Sequence, residues 1–366
     1  MTEPGIALLY DMVSIASPSG HEQELAAYLR AAAERLGLRA RVDEVGNLIA
    51  ETGTGVGPTV LLLSHLDTVD DWIPARLYPD RVAGRGAVDA KGPLAAMLLA
   101  AAARPGFPGR LVVAGAVQEE VPGSLGAMHL RATLERPDAV VIGEPTGWDG
   151  VVLGYKGILD LGYRVRRPAT HPTNPVEKAS EAAAAFWAGL VAALGPAASH
   201  TAFDRPAATL TRIHGSLTEA GLDAGVRLPP GFDTVQFLAR LQAVARGGDI
   251  KVLGYVPAAR ADRRDPVVRA LSAGIRRVGG TPRRLLRTAT SDMNTLAEVW
   301  DVPMAAYGPG DSHLDHAADE HLPVDTFRRG VAVLTAAIDE LELALPTRPR
   351  SARPLPAAAA LPGGPS

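Results

Sequence analysis

Three short apolar runs, at 60–63, 110–117 and 138–142, constrain this chain more than any other feature. The run 60–63 is apolar at every position and has no polar face to offer solvent, so a strand of this kind is covered on both sides. Around the runs the spacing changes. Residues 21–36 (HEQELAAYLRAAAERL) place apolar side chains at helical intervals, opening after Ser19 and Gly20 and stopping at Gly37, and 92–103 reads as a second helix. Strands that alternate with helices predict an α/β fold with a mixed, mostly parallel sheet and helices on both faces. A chain of 366 residues exceeds one small core, so roughly two domains are expected.

The pattern shifts near Gly157. Residues 158–166 (ILDLGYRVR) alternate apolar and polar like a half-exposed strand. A long Ala-rich helix is expected over 176–194, strands near 208–215 and 223–228, a helix over 233–246 and a strand over 249–256. This is a small α+β module inserted in the chain. From Asp265 the earlier pattern resumes, with helices over 266–279 and 324–342 and short strands near 284–287 and 302–306. The tail 347–366, rich in Pro, Ala and Gly, has little to bury and is expected to be disordered.

Composition narrows the chemistry. The chain has no cysteine, which removes disulfides, Cys-ligated zinc and thiol catalysis together; a metal site must use His, Asp and Glu. Net charge is −3, so no overall basic field exists to hold nucleic acid or an anionic membrane. No apolar run approaches the roughly 18 residues of a membrane span. The N-terminus lacks a basic region ahead of an apolar core, so it does not read as a secretory signal and the cytoplasm is the expected location.

Five His- or acid-bearing clusters follow strands or sit in Gly- and Pro-marked loops. His65-Leu66-Asp67 follows the run 60–63, as expected where sites gather at the carboxyl ends of strands. A neutral imidazole suits a zinc-like ion, and a carboxylate two residues on can fix its tautomer, although such a pair is equally common as plain structure. Asp89, in GRGAVDAKG (84–92), could present both oxygens to two metals or simply cap the helix opening at Gly92. Glu119 and Glu120 close the run 110–117; neighbours on an extended segment point apart, so one could bind metal while the other takes a proton. Glu144, in GEPT (143–146), follows the third run, where an exposed turn glutamate is the plain alternative. The loop 308–320 holds two histidines three apart, His313 and His316, among several carboxylates. There is no GxxxxGK[ST] phosphate loop, no dinucleotide fingerprint and no GxSxG elbow.

Together HLDTV (65–69), GRGAVDAKG (84–92), QEE (118–120), GEPT (143–146) and HAADE (316–320) resemble, in order and spacing, the dizinc metallopeptidases typified by acetylornithine deacetylase and succinyl-diaminopimelate desuccinylase. The resemblance covers about residues 1–345 and implies two divalent metal ions, zinc by default with cobalt or manganese allowed by the same donors. It implies that His65 and Glu144 bind one metal and Glu120 and His316 the other, with Asp89 bridging. Asp67 would orient His65, and Glu119 would be general base and acid. The catalytic domain would comprise 1–156 and 264–346, and the inserted lid and dimerisation domain 157–263. His171, in RRPATHPTNP, would be the lid histidine that reaches the partner subunit's site in a homodimer; taken alone it reads as an exposed loop histidine.

GYKG (154–157), TSDMN (290–294) and YGPGDSHLDHAADEH (307–321) are similar to one branch of that family, the hydrolases that release lysine or ornithine from an amino-group carrier protein. That likeness implies the carrier as substrate, with Asp292 and Asn294 as substrate contacts. An N-acyl amino acid deacylase or dipeptidase of the same chemistry is the alternative. A non-catalytic metal-binding protein is the alternative of another class, and Glu119 separates it from an enzyme, because a structural metal site needs no base.

Overall fold

The computed structural model of the protein describes residues 3–346; the tail expected to be disordered lies outside them. Its main sheet has nine strands. Four of them, Arg110–Ala116, Thr59–His65, Ala139–Ile142 and Met304–Ala306, run side by side in that order and pair in parallel. Leu48–Thr52 and then Arg39–Val42 extend one edge antiparallel. At the other edge Gly150–Tyr155 turns antiparallel to Met304–Ala306 and carries Ala259–Arg260 and Arg283–Arg287.

The apolar run 60–63 shows why both faces are covered. Val60 and Leu62 belong to a core lined by the helices Pro4–Ser14, Gln23–Arg35, Lys91–Ala102, Pro266–Arg277 and Val324–Ala344, whereas Leu61 and Leu63 belong to a second core beneath Leu125–Thr133 and Asp292–Ala297. Period-two alternation thus serves two apolar layers. Helix Lys91–Ala102 is buried nearly all round, between the sheet and the helices Pro4–Ser14 and Val324–Ala344.

Residues 157–256 form a separate antiparallel sheet, in the order Ala207–Gly215, Glu219–Leu228, Gly157–Arg166, Asp249–Val256. Helices Ala179–Leu194 and Thr234–Ala243 cover one face, where Leu159, Leu161, Tyr163, Phe186, Leu222 and Phe237 make a core of their own. Tyr163 and Phe186 stack with centroids 4.0 Å apart. The opposite face carries Asp160, Arg164, Asp223 and Arg227, which explains the alternation read in 158–166.

Candidate active site

The carboxyl ends of Thr59–His65, Arg110–Ala116 and Ala139–Ile142 deliver His65, Glu119–Glu120 and Glu144 to one cleft. The turn before helix Lys91–Ala102 adds Asp89, and that turn packs tightly: a Cβ on Gly92 would lie 2.5 Å from the Ala87 carbonyl oxygen. Among the described residues, His65, Asp89 and Glu120 offer ligand atoms all within 4.8 Å of one another. His65 Nε2 lies 3.1 Å from Asp89 Oδ1. His316 Nε2 lies 3.3 Å from Asp89 Oδ2 and 2.8 Å from Glu120 Oε1. The two oxygens of Asp89 therefore face two different histidines.

Of the histidine pair in the C-terminal loop, His316 is at the cluster. His313 is exposed and turns to Asp311, its Nδ1 2.9 Å from Oδ1. The loop achieves this with His316 in the left-handed region at φ 59°, a conformation that costs energy and is often found at functional sites.

Asp67 acts in a way the sequence did not suggest. The Nδ1–H of His65 donates to its backbone carbonyl at 2.9 Å, while the nearer carboxylate oxygen is 3.5 Å away. That bond leaves Nε2 directed at the cluster. The Asp67 carboxylate instead accepts from the backbone N–H groups of Glu119 and Glu120, each at 3.0 Å, and from Ser19 Oγ at 2.7 Å. The strand-end turn at 65–67 points the carboxylate across to the neighbouring strand end, so one buried acid fixes both glutamates.

Glu320 is a second organiser. Its carboxylate, fully buried, accepts from the amides of Gly86, Val88 and Asp89 and from Arg85 Nη1 at 2.8 Å. It ties the His316 loop to the Asp89 turn. The sequence signal was present in the final Glu of HAADE, but nothing local assigned it a partner more than 230 residues away.

The remaining expected residues divide. Asp292 is buried beside this cleft, accepts from Ser124 Oγ, and is pushed up to about 6 by burial. Asn294 is committed to backbone: its Nδ2 donates to the carbonyls of Pro257 at 2.8 Å and Lys156 at 3.1 Å, and its Oδ1 accepts from Ser291 N. The structure thus gives Asn294 a scaffolding position between the sheet and the inserted unit. His171 is exposed in the loop after Gly157–Arg166, its Nδ1 2.7 Å from Thr173 Oγ1, and none of its hydrogen bonds reaches the cluster.

The electrostatics ask for cations. Burial pushes the Glu119 and Glu144 carboxyls well above the usual range, and neighbouring carboxylates add to it: Glu144, Asp292 and Glu120 around Glu119, and Asp89, Asp292 and Glu120 around Glu144. Hydrogen bonding to Asp89 and Glu120 pushes His316 up to about 10. A set of N and O donors without sulfur, carrying this surplus of acid, fits zinc or similar divalent ions. His316, raised to about 10, holds a proton at neutral pH and must lose it to bind metal, and the upward shift of Glu144 acts in the same direction. Metal uptake by the stripped protein therefore releases protons, and affinity rises with pH. Calorimetry in buffers of different ionisation enthalpy measures this; an affinity flat across about pH 6–8 contradicts it.

The chain was compared with known proteins. Residues 61–340 match the model of Peptidase family M20/M25/M40. The LysW-lysine hydrolase of Deinococcus radiodurans is 42% identical over 349 residues, covering 91% of this chain and 96% of that protein. The LysW-lysine/LysW-ornithine hydrolase of Sulfurisphaera tokodaii is 27% identical, covering 91% and 94%. Among solved structures, the M20 family metallo-carboxypeptidase Sso-CP2 of Sulfolobus solfataricus superimposes with a TM-score of 0.77 at 19% identity, covering 93% of this chain and 100% of that one. With the family model spanning most of the chain and a 42% identical relative matched nearly end to end, this protein belongs to peptidase family M20/M25/M40.

Proposed function

We propose that the protein is a metal-dependent amide hydrolase that releases lysine, and by the same chemistry ornithine, from the terminal glutamate of an amino-group carrier protein of the LysW kind. The observation that carries this reading is the likeness to the Deinococcus enzyme along 91% of the chain, joined to a cleft whose donors converge. In the proposed arrangement His65 and Glu144 would hold one divalent metal and Glu120 and His316 a second, with Asp89 placed to serve both, and zinc the default with cobalt also suited to the donors. Two such ions supply Lewis acidity to the scissile carbonyl and to the attacking water.

The chain's own residues then do the rest. Glu119 Oε takes the proton of the attacking water and returns it to the leaving α-amino group. Asp67 holds the backbone of that base rigid. Asp292 pairs with the ammonium of the lysine side chain. The inserted unit, 157–263, serves as lid and dimerisation domain, and His171 from the partner copy donates to the developing oxyanion.

The direct test is to incubate metal-loaded protein with carrier-linked lysine and with acetylornithine. Release of free lysine from the carrier is expected; turnover of acetylornithine alone would replace this reading with that of a small N-acyl amino acid deacylase. For the lid, His171→Ala is expected to lower turnover by about 10²–10³-fold, as loss of an oxyanion donor does, with metal content unchanged. Mixing that variant with Glu119→Gln restores part of the activity if His171 acts across a dimer. No restoration places its action within one chain.

A further inference from the structure

Away from this cleft, a cavity of about 560 Å³ opens between helix Pro266–Arg277, the strand Arg283–Arg287 and the last turns of helix Val324–Ala344. Arg269 and Arg276, seven residues apart on one face of the helix, bracket Ser272; Arg263 enters from the preceding turn and Arg284 from the strand. The chain as a whole is slightly acidic, and its surface arginines are commonly paired, as Arg104, Arg277 and Arg328 are. These four are not: none forms an ion pair among the described residues, and Arg276 reaches only the Ser272 backbone carbonyl at 3.3 Å. Glu340, the one acid in the lining among the described residues, is already taken by Arg277 at 2.9 Å.

A second observation is independent of charge. Ser272 is 3% exposed, lines the cavity, and its hydroxyl has no hydrogen-bond partner among the described residues. A buried hydroxyl left unpaired is costly, and native structures usually satisfy such groups. Four unpaired guanidinium groups line the same cavity as this unpaired hydroxyl, and arginine binds phosphate oxygens in bidentate fashion. The volume falls within the range of small-molecule sites.

We propose that this cavity binds a small phosphorylated polyanion, of di- or triphosphate class, at a site separate from the metal cluster. Four positive charges around one cavity favour a ligand with several phosphate groups over a single anion. Binding is electrostatic at the rim and weakens with salt.

The test is a calorimetric titration of tripolyphosphate and of ATP into the metal-loaded protein at low ionic strength. Phosphates also bind metal centres, so Arg269→Glu/Arg276→Glu, both exposed, serves as the blank. The wild type is expected to show one more binding event than the double variant, and Ser272→Ala to weaken that event by about tenfold. Identical isotherms for wild type and double variant overturn the proposal. It is equally overturned if the double variant instead raises the KM for carrier-linked lysine while neither protein binds tripolyphosphate here; the patch is then a docking face for an acidic protein. The kcat for carrier-linked lysine stays at the wild-type level in the double variant, which keeps failure of this site distinct from failure of the proposed activity.

Discussion

Replacing Glu119 by glutamine lowers turnover by roughly 10²–10⁴-fold while metal content stays at the wild-type level. The substitution is nearly isosteric and leaves the backbone N–H of residue 119 on Asp67, so cleft geometry is kept. What it removes is a carboxylate able to take a proton. The result separates three readings. A hydrolase that uses this base loses activity and keeps metal. A protein that only binds metal shows no turnover to lose. An enzyme that keeps full turnover as Glu119→Gln, with metal unchanged, does not use Glu119 as its base.

The largest effect on stability is expected at Glu320. With its partner Arg85 equally buried, removing the carboxylate leaves three backbone amides without their acceptor inside the protein and leaves the guanidinium only the exposed Asp71 as an acidic partner. Breaking one side of such a pair costs about 3–5 kcal/mol. Glu320→Ala should therefore lose at least that much in denaturant unfolding. Arg85→Met should lose less, because the amides of Gly86, Val88 and Asp89 keep their acceptor. The order of the two variants matters more than either value: equal losses would mean that the three amide bonds contribute nothing beyond the ion pair. Metal affinity should fall in Glu320→Ala as well, since the turn carrying Asp89 is held by this acid.

The parts of the fold legible in the sequence were those written in local periodicity. The run 60–63 announced a strand apolar on both sides, and the structure assigns its alternate residues to two cores. The alternation of 158–166 announced a strand with one polar face. Helix Pro4–Ser14 and the strands Leu48–Thr52 and Gly150–Tyr155 went unread, because short segments next to glycine and proline turns carry little periodic signal. In the cleft, residue types and their place after strands could be read locally. Which atom meets which could not. That the Asp67 carbonyl faces His65 while its carboxylate crosses to residues 119 and 120 depends on how two strand ends lie side by side. The same holds for Arg85 and Glu320, which meet only once the sheet has brought both ends of the chain together.

The double grip of Asp67 has an engineering consequence. Because one carboxylate accepts from the peptide N–H groups of both Glu119 and Glu120, the backbones of the two glutamates share a single anchor. Tuning the reach of one without disturbing the other is closed to substitutions at 67. A redesign that wants a different spacing must transplant the segments 17–22, 65–68 and 117–120 together, as one exchangeable cassette.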